Sequence, residues 1–157
     1  MTVVTDASFA PGGDKSRTGY CVFLNGRLVH WGSTKQQVTA MSTCEAELDA
    51  AIVGLKQAYG VIHAVHDVMK GRGPKIVMKV DNAAALRQMK FVATNWRNRH
   101  FAIRASWIRD EITHRNIDVQ YQSGKDLEAD GLTKILDRVK LQEMRRKLGL
   151  EAIASRT

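Results

Sequence analysis

Cysteine and proline are scarce in this chain of 157 residues, with two of each. Cys21 and Cys44 are too few for a disulfide framework, and no CxxC or Cys/His spacing typical of a zinc site occurs. Two reduced thiols are typical of an intracellular protein. No apolar run approaches the roughly 20 residues that span a bilayer, and no signal segment opens the chain, so we expect no membrane partner.

Compositional bias is missing too, since the chain has no internal repeat, low-complexity tract or Pro/Ser-rich linker. Hydrophobic residues make up 44% and charged residues 25%, as in ordinary globular domains. A wholly disordered, collagenous or coiled-coil chain is therefore excluded. The length predicts one domain, which we place at residues 1–150, with a C-terminal tail at 151–157.

Acidic residues are outnumbered, with 16 Asp and Glu against 24 Lys and Arg, for a formal net charge of +8. Much of the excess lies between residues 87 and 115, which hold seven basic and two acidic residues together with Trp96 and Trp107. A basic segment interleaved with aromatics favours a nucleic acid over a membrane as partner. A protein that is merely basic, with Trp107 as a core residue, is the alternative.

Alternating and β-branched segments predict five strands. The chain opens with a three-stranded antiparallel meander, whose second turn has the hairpin signal Asn25-Gly26. The predicted strands cover residues 2–10, 18–24, 27–33, 75–81 and 117–122.

Helical patterns fill the rest of the chain. Ser42 to Glu45 has the S-x-x-E form of a capping box and begins a long helical region to about Lys70, with a break expected near Gly60. Further helices are predicted at 82–90, 98–114, 126–135 and 137–148. This order predicts an α/β domain with one mixed sheet and helices packed on it.

Three aspartates stand where a catalytic site is plausible. Asp6 lies inside the first strand, where Asp is depleted, and Asp81 ends the fourth strand. Asp130 lies early in the helix predicted after the fifth strand. Each has a structural alternative: Asp6 faces solvent or lies in a bulge, Asp81 caps a helix, and Asp130 complements the helix dipole.

Glu47 is the most informative acid. On a helix it shares its face with Ala50, Ala51, Gly54, Leu55 and Ala58, a small apolar stripe of the kind that packs on a sheet. Glu45 lies on a largely polar face and already has a structural role in the capping box. We therefore assign Glu47, rather than Glu45, to the site. Converging carboxylates in a basic protein predict a divalent-metal site, because like charges that crowd together need a cation or protons to neutralise them.

The motifs together identify a family. The chain resembles the ribonuclease H domain of copia-like (pseudoviral) LTR-retrotransposon reverse transcriptase polyproteins over roughly residues 3–150. The stretches that carry the resemblance are TDASFA at 5–10, SRTGYCVFLNG at 16–26, VHWGSTKQ at 29–36, MSTCEAEL at 41–48, KVDNAAA at 79–85, LEADGLTK at 127–134 and KLQEMRRKLGL at 140–150.

The resemblance implies a ribonuclease H-like fold, with a five-stranded mixed sheet in the order 3-2-1-4-5 flanked by helices. It implies hydrolysis of the RNA strand of an RNA–DNA hybrid by a two-metal mechanism that leaves 5′-phosphate and 3′-hydroxyl ends, with two Mg²⁺ ions that Mn²⁺ can replace. The family's Asp, Glu, Asp, Asp quartet matches Asp6, Glu47, Asp81 and Asp130, with Asp130 in the last helix of the fold. Asp6 would bridge the ions, Glu47 and Asp81 would hold the leaving-group side, and Asp130 the water side.

Substrate contacts follow from the same resemblance. The family reads the 2′-hydroxyl near the start of the first helix, so Thr43 and Cys44 are candidates, with a purely structural role as the alternative. Asn82 is a candidate for the sugar or phosphate. Candidate contacts to the DNA-strand phosphates are Arg97, Arg99 and Arg104.

The chain departs from many ribonucleases H in one loop, Ser123 to Asp126, which lacks their mobile histidine. A polyprotein domain does not naturally begin at Met1, so we expect an excised or separately expressed piece. Its expected partners are the hybrid and a reverse transcriptase domain, and its expected location is the cytoplasm, the nucleus or a virus-like particle. The alternatives are a non-catalytic nucleic-acid-binding module and another nuclease of the same fold.

Overall fold

A computed structural model describes residues 1–10, 15–68, 70, 73–91 and 99–150. Its centre is a five-stranded mixed sheet in the order β3-β2-β1-β4-β5. The first three strands pair antiparallel, whereas β1 with β4 and β4 with β5 pair parallel. The order predicted from the family resemblance is confirmed. The strands are β1 Thr2–Ser8, β2 Arg17–Leu24, β3 Arg27–Lys35, β4 Val77–Val80 and β5 Asp118–Tyr121.

Four α-helices accompany the sheet. They are α1 Thr43–Val65, α2 Ala83–Lys90, α3 Arg99–His114 and α4 Arg138–Lys147. The break expected near Gly60 is wrong, because α1 runs through that residue and ends at Val65 instead of Lys70. One glycine costs a helix only about 1 kcal/mol, which the packing of α1 on the sheet offsets. In the described ranges, no helix combines the length and the apolar character that crossing a membrane requires.

The helix predicted at 126–135 is also wrong. Two short 3-10 turns, Gly124–Asp126 and Asp130–Leu132, take its place, so Asp130 lies on a turn and not in the last helix. Their backbone hydrogen bonds join residues three positions apart, for example from the Leu132 N–H to the Ala129 carbonyl. The segment is also held by the sheet, because the Ser33 hydroxyl donates to the Leu132 carbonyl. Tertiary contacts therefore override the helical pattern of the sequence.

The two faces of the sheet carry separate cores. Val3 and Val22 belong to the larger core, which includes residues of α1, α2 and α3. Val4 and Cys21, their neighbours in sequence, belong to the smaller core with Leu127 and residues near α4. Adjacent strand residues point to opposite faces, so β1 and β2 serve both cores. β1 therefore lies at the middle of the domain.

Gly54 lets α1 lie close against β1. A Cβ atom at this position would come 2.4 Å from Cγ2 of Thr5 and 3.2 Å from Cγ1 of Val3. Any side chain here would push the helix away from the strand. Because α1 carries Glu47 and β1 carries Asp6, this close packing is what brings the two acids together.

Candidate active site

Three of the four predicted carboxylates converge at one end of the sheet. Asp6 lies in β1, Asp81 directly follows β4, and Glu47 lies in the second turn of α1. Each offers an oxygen, and these oxygens all lie within 4.8 Å of one another. β1 and β4 are neighbouring parallel strands, so residues near their carboxyl ends share one edge of the sheet.

The two glutamates of α1 have different partners. The Ser42 hydroxyl accepts from the Glu45 backbone N–H, and the Glu45 carboxylate accepts from the Met41 backbone N–H at 2.9 Å. Glu45 is therefore a capping residue, as predicted, and its side chain is buried. Glu47 points into the acidic cluster, as the helical-face argument predicted.

Asp81 is not the cap of the helix that follows it. Asn82 has that role, since its Oδ1 accepts from the Ala85 backbone N–H at 2.9 Å. The Asp81 carboxylate lies close to Gly124. A Cβ atom at Gly124 would come 2.8 Å from Asp81 Oδ2. A glycine at this position therefore leaves room for the carboxylate.

Asp130 lies at the margin of the cluster. Its carboxylate forms an ion pair with the Lys134 ammonium, and its charge acts on both Asp6 and Asp81. Thr133, on the same segment, donates a hydrogen bond to Asp6 Oδ2 at 2.5 Å. The 3-10 segment is thus tied to β1 through a side chain that touches a predicted catalytic acid.

Burial raises the pKa of all three converging acids. For Glu47, desolvation followed by the charges of Asp6 and Asp81 raises the pKa to about 9. Desolvation is also the largest cause of the raised pKa values of Asp6 and Asp81. The charges of Asp81 and Asp130 add to it at Asp6, and the charge of Asp130 adds to it at Asp81. The metal-free site therefore favours protons on groups that are normally ionised.

The donor set fits a divalent cation. Carboxylate oxygens are the ligands that Mg²⁺ prefers, and a cation would relieve the repulsion among the three acids. The Oε2 atom of Glu47 is buried and has no hydrogen-bond partner among the described residues. A buried carboxylate oxygen without a partner is costly, and a metal ion would satisfy it.

The predicted sugar contacts lie beside this cluster. Thr43 is exposed and Cys44 half-buried at the first two positions of α1, and Asn82 follows Asp81 directly. Burial and the charges of Glu47 and Glu45 raise the pKa of the Cys44 thiol, so it stays protonated. Contact of these residues with substrate stays a prediction.

The predicted phosphate contacts have unequal surroundings. Arg99 is exposed at the first position of α3. Arg104 forms a partly buried ion pair with Asp49 of α1, with 2.5 Å between Nη1 and Oδ1. Trp107 packs against the larger core and lies under the Lys56 ammonium. Arg97 and Trp96 fall outside the described residues.

Thr133 and Gly124 were missed by sequence reasoning. Both lie in the stretch that was interpreted as a loop and a helix, and their contacts to Asp6 and Asp81 are tertiary. The sequence signal for Thr133 is its position three residues after Asp130, within the LEADGLTK stretch at 127–134.

Sequence relatives of the chain are retrotransposon polyproteins. It is 29% identical over 150 residues to the retrovirus-related Pol polyprotein from transposon TNT 1-94 of Nicotiana tabacum, which covers 94% of the chain and 11% of the relative. It is 32% identical over 143 residues to the transposon Ty1-NL2 Gag-Pol polyprotein of Saccharomyces cerevisiae, covering 87% of the chain and 8% of the relative. The chain thus spans about a tenth of the length of these relatives. No protein-family profile matches it.

Solved structures of ribonucleases H have the same fold. LC11-RNase H1, isolated from compost by a metagenomic approach, superposes with a TM-score of 0.62 at 18% identity, covering 83% of this chain and 90% of that one. The same enzyme in complex with an RNA/DNA hybrid gives a TM-score of 0.61 at 17% identity, covering 83% and 91%. The fold is therefore that of ribonuclease H, and the sequence relatives are copia/Ty1 retrotransposon polyproteins.

Proposed function

We propose that this homologue of a retrotransposon Pol segment is a metal-dependent endoribonuclease that cuts the RNA strand of an RNA–DNA hybrid. The observation that carries the proposal is the convergence of Asp6, Glu47 and Asp81 in a ribonuclease H fold, with Asp130 alongside. Support for the substrate comes from LC11-RNase H1, which has the same fold and whose structure contains an RNA/DNA hybrid.

The four carboxylates have different roles around the scissile phosphate. We assign Asp6 to both ion positions, Glu47 and Asp81 to the leaving-group side, and Asp130 to the water side. The chemistry that two Mg²⁺ ions held there, or Mn²⁺ in their place, would supply is activation of a water and stabilisation of the leaving 3′-oxygen. Asp6 and Glu47 are almost fully buried, so their carboxylates are largely shielded from bulk water. The products carry 5′-phosphate and 3′-hydroxyl ends.

Recognition of the hybrid needs groups on both sides of this centre. We assign Thr43 and Cys44, which precede Glu47 at the start of α1, to the 2′-hydroxyl that distinguishes RNA from DNA. The net charge of +8 attracts the polyanion, while the acidic pocket holds the cations. In its natural setting we place this step in reverse transcription, next to a reverse transcriptase domain and inside a virus-like particle.

Cleavage of end-labelled substrates tests the proposal. An RNA–DNA hybrid, duplex DNA and duplex RNA are each incubated with the protein in Mg²⁺, Mn²⁺ or EDTA, with Asp81→Asn as the matched control. We expect cutting of the RNA strand in the hybrid alone, dependent on metal and lost in the control. Salt-sensitive hybrid binding that survives EDTA without cleavage would instead identify a binding module. Cutting of duplex DNA would identify another nuclease of this fold.

A further inference from the structure

Thr133 stands between two segments that carry catalytic acids. Its hydroxyl lies 2.5 Å from Oδ2 of Asp6 in β1 and 3.0 Å from the backbone carbonyl of Asp130. The residue is 5% exposed, so water does not compete for the hydroxyl. Thr133 thus joins the 3-10 segment to the central strand through polar atoms.

A threonine hydroxyl has one proton and so one donor bond at a time. Of the two acceptors, Oδ2 of Asp6 is the nearer, and it is the stronger acceptor whenever the carboxylate is ionised, because charge-assisted hydrogen bonds are roughly twice as strong as neutral ones. The proton therefore goes to Oδ2 of Asp6. This bond fixes the plane of the carboxylate and leaves its remaining lone pairs for other partners.

We infer that Thr133 is a positioning residue that orients Asp6 for cation binding. The inference rests on the proposed function, because Asp6 is the acid assigned to both ion positions. Ligating carboxylates are commonly held by hydrogen bonds of this kind, and loss of such a partner typically costs about 10- to 100-fold in metal affinity or activity. Thr133 contacts neither ion nor substrate in this role and acts through Asp6.

If Thr133 had a purely structural role, its methyl group would matter more than its hydroxyl. The methyl group packs against β2, since a Cβ atom at Gly19 would lie 2.9 Å from Thr133 Cγ2. Thr133→Val keeps a methyl group at this contact and removes the hydroxyl, whereas Thr133→Ser keeps the hydroxyl and removes the methyl. If packing is what matters, the serine variant is the more damaged one.

Thr5 provides a matched control. It is fully buried next to Asp6 in β1, and its hydroxyl has no hydrogen-bond partner among the described residues. Thr5→Val is therefore the same chemical change at another buried position, on the opposite face of the sheet, without loss of a bond to Asp6. We expect it to leave metal binding and cleavage unchanged.

The test is Mn²⁺ binding by isothermal titration calorimetry on the folded, metal-free variants, with the Mg²⁺ concentration for half-maximal hybrid cleavage measured alongside. We expect Thr133→Val to bind Mn²⁺ at least about 10-fold more weakly and to need correspondingly more Mg²⁺, with Thr133→Ser close to wild type. Unchanged affinity in Thr133→Val, or a larger loss in Thr133→Ser, overturns the inference. So does a wild-type protein that binds no Mn²⁺.

The calorimetric readout separates the two claims. A protein that binds Mn²⁺ through Asp6 but cuts no hybrid would refute the proposed function and leave the role of Thr133 standing. A protein that cuts hybrid with equal Mg²⁺ dependence in wild type and Thr133→Val would refute the role of Thr133 alone. Circular dichroism melting of each variant confirms that the chain is folded before either result is used.

Discussion

A carboxylate oxygen of Glu47 lies within 4.8 Å of one on Asp6, and both residues are more than nine-tenths buried. Two negative charges at this distance and depth repel each other strongly, so the metal-free site holds protons that water-exposed acids would release. Burial, together with the repulsion from the neighbouring aspartates, raises the pKa of Glu47 to about 9. The site is thus built for cations at some cost to the stability of the protein without them.

Metal-free wild-type protein should lose stability as the pH rises. A glutamate side chain in water has a pKa of 4.5, whereas the pKa of Glu47 in the folded chain is about 9, so the folded state binds the proton more tightly. The stabilisation is fully present below about pH 4.5 and is lost as the pH approaches 9. Thermal melts in EDTA from about pH 5 to 9 measure this slope, and Mg²⁺ should restore stability at the alkaline end.

Glu47→Gln is the control for that slope. It removes the titrating group but keeps the shape of the side chain, so its melting temperature in EDTA should fall less with pH than that of the wild type. Part of the slope should persist, since Asp6 and Asp81 also have raised pKa values. Identical slopes in the two proteins would contradict the assignment of the buried proton to Glu47.

The two glutamates of α1 should respond differently to the same substitution. Glu47→Gln should lower cleavage by more than about 100-fold, because the loss of a metal ligand exceeds the loss of a partner to one. Glu45→Gln should change the free energy of unfolding by less than about 1 kcal/mol and leave cleavage near wild type, since an amide oxygen still accepts from the Met41 N–H. A reversed order would show that Glu45 is the ligand.

The choice of Glu47 shows what a sequence can predict about a site. The apolar stripe from Ala50 to Ala58 is a local pattern with helical period, and the helix that it predicts does pack on the sheet. The strand order is predicted from the resemblance of short motifs to those of a known family. Each motif that contains one of the acids spans only a few consecutive residues. Elements of this kind are readable because neighbouring residues determine them.

The segment after β5 shows where sequence reasoning fails. Residues 126–135 have a plausible helical pattern, but contacts to β2 and β3 hold them in 3-10 turns. The hydrogen bond from Thr133 to Asp6 joins residues 127 positions apart. No periodicity or propensity records such a pairing, so the support of Asp6 could be found only in three dimensions.

Gly124→Ala should weaken metal binding without unfolding the protein. The added Cβ would come 2.8 Å from Asp81 Oδ2, so the carboxylate must move away from its place in the cluster. We expect up to about a 10-fold rise in the Mg²⁺ concentration for half-maximal cleavage.

Gly60→Ala is the matched glycine control. Gly60 is exposed within α1, and apart from its chain neighbours and the nearby helix backbone no atom of the described residues lies within 4 Å of a Cβ placed there. The alanine should raise the free energy of unfolding by about 0.5–1 kcal/mol and leave the Mg²⁺ dependence unchanged. An unchanged Mg²⁺ requirement in Gly124→Ala would show that Asp81 accommodates the methyl group without consequence for the site.

Substitutions of two arginines of α3 should have different effects, one on the stability of the protein and the other on hybrid binding. The Arg104 guanidinium is occupied by Asp49, and the two side chains are 22% and 14% exposed. Arg104→Met should therefore lower the free energy of unfolding by about 1–2 kcal/mol, because it leaves a largely buried carboxylate unpaired. Arg99 is exposed at the helix start, so Arg99→Met should leave the melting temperature unchanged.

Hybrid binding over a range of salt concentrations completes the comparison. If Arg99 contacts a phosphate, Arg99→Met lowers the slope of log affinity against log salt by about 0.7–0.9, the loss of one released counterion, whereas Arg104→Met leaves the slope unchanged. Adding Asp49→Asn to Arg104→Met should recover most of the lost stability, since it removes the unpaired charge. A reduced slope in Arg104→Met would mean that this guanidinium leaves Asp49 for a phosphate when the hybrid binds, and that the ion pair belongs only to the free protein.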